Sequence, residues 1–157
     1  MRRQIRRIFV ILCLVLVVIQ FFRPTKNLSP GPMSPDDLRA LQPIPEAVKT
    51  HLEIGCYDCH SNNTRYPWYA EIQPVAWWLD VHVRDGKREL NFSNFGRYPL
   101  KRQVDKLDSV IDELNNHTMP LPSYTWTHRD ASFTDAERDE IVAWAEALRD
   151  KLAEQLE

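Results

Sequence analysis

The chain has 157 residues, with 20 Lys and Arg against 22 Asp and Glu, and three cysteines. That length sets a prior of one domain with a modest core, and 11 Pro beside 4 Gly excludes a collagen-like or low-complexity chain. The net charge of −2 averages two unlike parts. Residues 1–26 hold six basic side chains (Arg2, Arg3, Arg6, Arg7, Arg23, Lys26) and no acid, whereas residues 27–157 hold 14 basic and 22 acidic ones, a net of −8. An acidic body argues against nucleic acid as a partner, and a basic tail points to a membrane.

The first element is apolar. Four arginines precede IFVILCLVLVVIQFF at residues 8–22, where Gln20 is the one polar interruption. Fifteen helical residues span roughly 22 Å, short of the ~30 Å hydrocarbon core, a gap that snorkelling arginines close. The following FFRPTKNLSPGPM lacks a small-x-small cleavage site, so residues 1–22 read as a retained N-terminal transmembrane helix in preference to a cleaved signal segment. The excess of positive charge before the segment places the remainder outside, on the periplasmic side of a bacterial cytoplasmic membrane. Cys13 lies inside the apolar run behind a bulky Leu12 and reads as a small hydrophobe.

Residues 23–33 form a Pro-punctuated spacer that would lift the domain, residues 34–157, off the membrane. Ser34-Pro35-Asp36-Asp37 supplies an N-cap, Pro at the first helical position and early acids, so a short helical turn is expected there. Ile44, Val48, Leu52 and Gly55 recur at helical spacing up to CYDCH. A further helix covers PVAWWLDVHV at 74–83 and stops near Gly86, and another runs through 100–115 on Val104, Leu107, Ile111 and Leu114. The last starts at a Thr134/Glu137 capping box and carries one stripe of Ile141, Trp144, Ala145, Leu148 and Leu152. No alternating β pattern or internal repeat occurs, so the fold class is all-α.

The chemistry lies at Cys56-Tyr57-Asp58-Cys59-His60, a C-x-x-C-H signature for covalent haem attachment. Two thiols three positions apart on one helical turn can each add to one of haem's two vinyl groups. The adjoining His60 then lies under the iron as proximal ligand. A thioredoxin-like redox pair would require a preceding strand in a βαβ pattern. A structural zinc site would require a second ligand pair, and residues 27–157 contain no other cysteine. A simple disulfide would leave His60 unexplained. One covalent haem c is the preferred cofactor.

For the opposite axial position Met119, followed by Pro120 ahead of the final helix, is favoured, since a thioether there gives His/Met ligation and a raised potential. His82 and His128 are the alternatives, each also readable as a hydrogen-bonded or capping histidine. A sixth site left open to small ligands is the remaining option. Tyr66, Trp68, Tyr69, Trp77 and Trp78 follow the motif within twenty residues and suit the walls of a porphyrin site as well as an ordinary core. Arg65, Lys87, Arg97, Lys101 and Arg102 are candidate propionate partners, with no one of them preferred.

Three blocks, CYDCHSNNTRYPWY, PVAWWLDVHVRDGKRELNFSNF and MPLPSYTWTHRDASFTDAERDEIVAWA, together resemble the bacterial haem-binding domain family. These are small exported proteins related to c-type cytochromes, and the resemblance covers about residues 45–148. It implies a small cytochrome c-like helical domain around covalent haem, with Cys56, Cys59 and His60 in their usual roles and a Met-Pro near the distal side. It implies no defined reaction. The preferred reading is a membrane-tethered single-electron carrier rather than an enzyme, meeting a redox partner with a basic face. A haem-based ligand sensor or peroxidase-like enzyme with an open or weakly ligated distal site is the alternative.

Overall fold

The computed structural model describes residues 1–157, which form helices α1 to α8 linked by short 3₁₀ turns, with no strand. The one β-type contact is an isolated antiparallel bridge between Leu28 and Asn63. The all-α expectation is met.

Helix α1 (Arg2–Ile19) buries none of its side chains. It ends three residues before the apolar run does, and the four arginines lie within it, so its uncharged part is Ile8–Ile19, about 18 Å long. No helix of the protein is long and apolar enough to cross a membrane. The structure therefore does not by itself support the transmembrane helix expected over residues 1–22.

The segment expected to act as a spacer is hydrogen-bonded to the domain. Asn27 donates from its side chain to the Ser61 carbonyl (2.8 Å) and to Thr64 Oγ1 (2.9 Å), and its backbone N–H donates to the Tyr66 hydroxyl (2.8 Å). Lys87 Nζ donates to Asn27 Oδ1 at 2.6 Å, and the Ser29 N–H to Asn63 Oδ1 at 2.8 Å. Asparagine suits such a junction because its amide both donates and accepts.

Helix α2 (Leu38–Leu41) starts later than Ser34-Pro35 suggests, because Asp37 takes the N-cap and accepts from the Arg39 N–H. Helix α3 (Glu46–Gly55) buries Val48 and Leu52, and α4 (Tyr57–His60) follows after Cys56, whose φ of −125° breaks the helix for one residue. Helix α5 (Val75–Glu89) runs three residues past Gly86. A Cβ on Gly86 would stand 2.8 Å from the Cys59 carbonyl oxygen, so this glycine permits close contact of α5 with α4 and does not end the helix.

Helices α6 (Leu100–Asn115) and α8 (Asp135–Ala153) form the main packed pair, with short α7 (Pro122–Thr125) between them in sequence. Leu107, Ile111 and Leu114 of α6 meet Ile141, Ala145, Leu148 and Leu152 of α8 in one core with Leu38, Val48, Leu52, Tyr57, Phe92 and Phe95. Each large apolar side chain so buried contributes about 1.5–3 kcal/mol. The capping box at Thr134 and Glu137 forms as the sequence indicates. This α3–α6–α8 core is the base on which the α4 turn sits.

Candidate functional site

The α4 turn is held by Tyr57 and Asp58, the two residues between the motif cysteines. The Tyr57 ring stacks on Phe92 (centroids 5.0 Å apart) and its hydroxyl donates to Asp37 Oδ1 at 3.2 Å. Arg39 grips both oxygens of the buried Asp37, through Nε at 2.9 Å and Nη2 at 3.0 Å, and its guanidinium lies 4.2 Å from the Tyr57 ring centre. On the other side, buried Asp58 accepts from the Arg65 N–H (3.0 Å), Arg65 Nε (3.1 Å), Arg65 Nη2 (3.2 Å) and the Tyr124 hydroxyl (2.7 Å). Burial, then the adjacent Asp58 carboxylate, raises the Tyr124 pKa and keeps this hydroxyl a donor.

The same partners close the end of α3. The Tyr124 hydroxyl stands 2.9 Å from the Ile54 carbonyl, Arg65 Nη2 donates to the Glu53 carbonyl at 3.1 Å, and Thr64 Oγ1 donates to the Asp58 carbonyl at 2.6 Å. These carbonyls belong to the helix end, where intrahelical donors run out. Tyr57 and Asp58 were not legible as important residues in C-x-x-C-H, where the intervening positions vary freely by pattern. An acidic residue between the two motif cysteines is the signal that would have flagged Asp58, since a carboxylate carried into the fold there requires partners.

Cys56 and Cys59 are both free thiols. Burial, then the nearby Cys59, pushes the Cys56 pKa up to about 12, and burial, then the Asp58 charge, pushes Cys59 up to about 11. Both thiols are therefore protonated at neutral pH, the opposite of the lowered pKa that a thiol–disulfide exchange site requires. No group of three or more His, Cys, Asp and Glu converges, so a four-ligand zinc site has no donor set here. His60 places Nδ1 3.1 Å from the Leu90 carbonyl, and burial lowers its pKa against the opposing pull of that hydrogen bond. A neutral imidazole that donates through Nδ1 keeps the Nε2 lone pair for a metal.

Next to the turn lies a cavity of about 770 Å³, within the range of cofactor and ligand sites. Cys59, Tyr66, Tyr69, Val75, Trp78 and Leu79 are among its walls. It brings Cys59 together with two of the candidate distal residues, His82 and His128, and also borders Leu121, but Cys56, His60 and Met119 are not among its lining residues. His82 Nδ1 is 2.8 Å from the Trp78 carbonyl, and His128 stacks on Tyr124 with ring centres 4.1 Å apart. Met119 lies in the α6–α7 connection, where its carbonyl accepts from Arg138 Nη1 at 2.7 Å. Its neighbour Pro120 reaches the end of α3, 3.2 Å from where a Cβ on Gly55 would be. Of the five expected wall aromatics, Tyr66, Tyr69 and Trp78 line the cavity, while Trp68 and Trp77 face solvent. Among the five basic residues considered for propionates, Arg65 borders it.

Two protonated thiols and a histidine with its Nδ1 engaged share one turn, and its Cys59 borders a largely apolar cavity, an arrangement that fits a flat apolar cofactor held at its edge by that turn. The fold and site thus define a helical domain built round a cysteine–histidine turn. The family model for the haem-binding domain matches residues 14–147, and the chain belongs to that family. No curated protein and no solved structure matches it.

Proposed function

We propose that this haem-binding protein carries one covalent haem c and relays single electrons at the periplasmic face of a bacterial cytoplasmic membrane, anchored there by α1. The observation that supports this most directly is the Cys56–His60 turn, whose Cys59 borders a cavity of cofactor size. Haem, when bound, supplies an iron that takes up and gives back one electron. Cys56 and Cys59 would hold it through thioethers, and His60, fixed in direction by the Leu90 carbonyl, would be the proximal ligand. Met119 is the proposed distal ligand, its loop held by Arg138 and resting on the end of α3.

The test is a pyridine haemochrome assay on exported protein after denaturation. Haem should remain with the wild-type chain and be lost from it in Cys56→Ser/Cys59→Ser. Haem extracted intact from the wild type would overturn covalent attachment.

A second reading, a ligand sensor or haem enzyme with an open distal site, rests on one observation: His82 and His128 line the cavity and Met119 does not. Protein that binds CO readily when ferrous, and shows no methionine-to-iron charge-transfer band when ferric, would select it over the relay. Loss of an existing band in Met119→Ala would select the relay. The −8 body suits a partner with a basic face, so electron exchange should slow as salt rises.

A further inference from the structure

The junction between α1 and the domain is tied by side-chain hydrogen bonds, and large apolar side chains are exposed around it. Gln73, 2 % exposed, ties three elements together. Its N–H donates to Gln20 Oε1 (2.9 Å) at the end of α1, its Nε2 to the Phe22 carbonyl (2.7 Å), and its Oε1 accepts from the Trp77 N–H (3.2 Å) at the start of α5. Gln20 Nε2 returns a bond to the Gln73 carbonyl at 3.3 Å. Glu71 adds ion pairs to Arg23 (2.8 Å) and Lys26. Around this knot Phe21 and Phe22 are 83 % and 63 % exposed, and Ile72 and Trp77 are also open to solvent.

We propose that Phe21, Phe22, Ile72 and Trp77 form a collar that seats the haem-binding domain directly on the outer leaflet of the bilayer. The proposal rests on the anchoring reading of α1 and goes beyond it. Soluble surfaces rarely gather large apolar side chains next to a wholly exposed apolar helix. Helix α1 supplies an apolar run of about 18 Å against a ~30 Å core, and the collar continues that surface from its outer end. Aromatic side chains at this level suit the headgroup boundary, where one edge is apolar and the other wet. The occupant is a lipid surface rather than a protein on grounds of charge: Arg2, Arg3, Arg6 and Arg7 at the far end of α1 complement anionic phospholipid headgroups, and at the near end Arg23 and Lys26 share the single Glu71, which leaves a net positive charge there. The bolted junction would also fix the tilt of the cavity, because Pro74 and Val75, next to Gln73, are part of its wall.

The test uses the full chain with vesicles of phosphatidylglycerol and phosphatidylethanolamine. Flotation reports α1, and tryptophan emission reports the collar, taken as the difference between wild type and Trp77→Phe. With lipids brominated near the headgroup end of their chains, the Trp77 component should fall about twofold. The Trp144 component, obtained likewise from Trp144→Phe, should not fall, since α8 packs on α3 and α6. A chain that floats with Trp77 unquenched, whether it stands off the surface or is covered by another protein, overturns the collar and leaves the anchor standing. A chain that does not float overturns both.

Discussion

Buried Asp58 anchors the α4 turn, and its pairing with Tyr124 can be measured. In Asp58→Ala four hydrogen bonds to a buried carboxylate are lost, three of them from Arg65. Hydrogen bonds to charged groups contribute about 1.5–3 kcal/mol. The Arg65 side chain is 60 % exposed, so its guanidinium recovers water and its share of the pair is discounted. The Arg65 N–H and the Tyr124 hydroxyl carry the rest, and the total comes to about 3 kcal/mol. Tyr124→Phe removes one donor to the carboxylate and one contact with the Ile54 carbonyl, about 1.5 kcal/mol. At about 4 °C per kcal/mol for a domain of this size, the two variants should melt about 12 °C and 6 °C below wild type. Thermal unfolding followed by far-UV circular dichroism, at matched haem content, checks both. The double variant should show a coupling of about 1 kcal/mol. If Tyr124→Phe costs the same with and without Asp58, the hydroxyl serves the Ile54 carbonyl alone and the reasoning fails.

Two further outcomes follow from single contacts. In Gly86→Ala the added Cβ would meet the Cys59 carbonyl oxygen at 2.8 Å and Cys59 Cβ at 3.1 Å. Helix propensity would favour the change by about 1 kcal/mol, yet backbone cannot swing aside, and overpacking of about 1–3 kcal/mol should win. A lower melting temperature and reduced haem retention are expected, and a more stable variant would show that α4 and α5 can separate freely. For Glu137, hydrogen bonds from the Thr134 backbone and side chain hold the carboxyl below its ordinary value of 4.5. A lowered folded pKa means the unfolded chain takes up protons first. Its contribution is complete above pH 4.5 and is lost as pH falls toward the folded value. Glu137→Gln should therefore be less stable than wild type at neutral pH and approach it in acid; parallel curves would refute the capping role.

The helices that pack by period were legible from sequence. In α8 the Thr134–Glu137 box and the stripe through Leu152 lie within one helix, so local spacing carries all the information. The same holds for Leu107, Ile111 and Leu114 on α6. What the sequence could not show is pairing across the fold. Gly86 looked like a stop because an isolated glycine lowers helix propensity, and only its approach to Cys59 explains why the helix continues to Glu89. Residues 23–33 looked like a spacer by their prolines, but Asn27 meets partners more than thirty residues away. The cysteine–histidine motif was plain, while the partners of Tyr57 and Asp58, at Asp37 and Tyr124, lie on elements that no spacing rule connects.

Those two partners also explain why the motif turn carries charged anchors beside an apolar core. Replacing a buried ion pair with well-packed hydrophobic residues is often neutral or stabilising, so Asp37–Arg39 and Asp58–Arg65 do not owe their place to net energy alone. Apolar packing fixes proximity, whereas hydrogen bonds fix direction. Tyr57 is pinned toward α2 and Asp58 toward α7, on either side of one turn. With both middle residues fixed, the turn cannot rotate about its axis, and Cys56 and Cys59 keep their relative position without help from any group they hold. Positioning a reactive pair on a regular element with a locked supporting shell is what the proposed covalent attachment would require, and the shell here is built from the two positions that the motif leaves open.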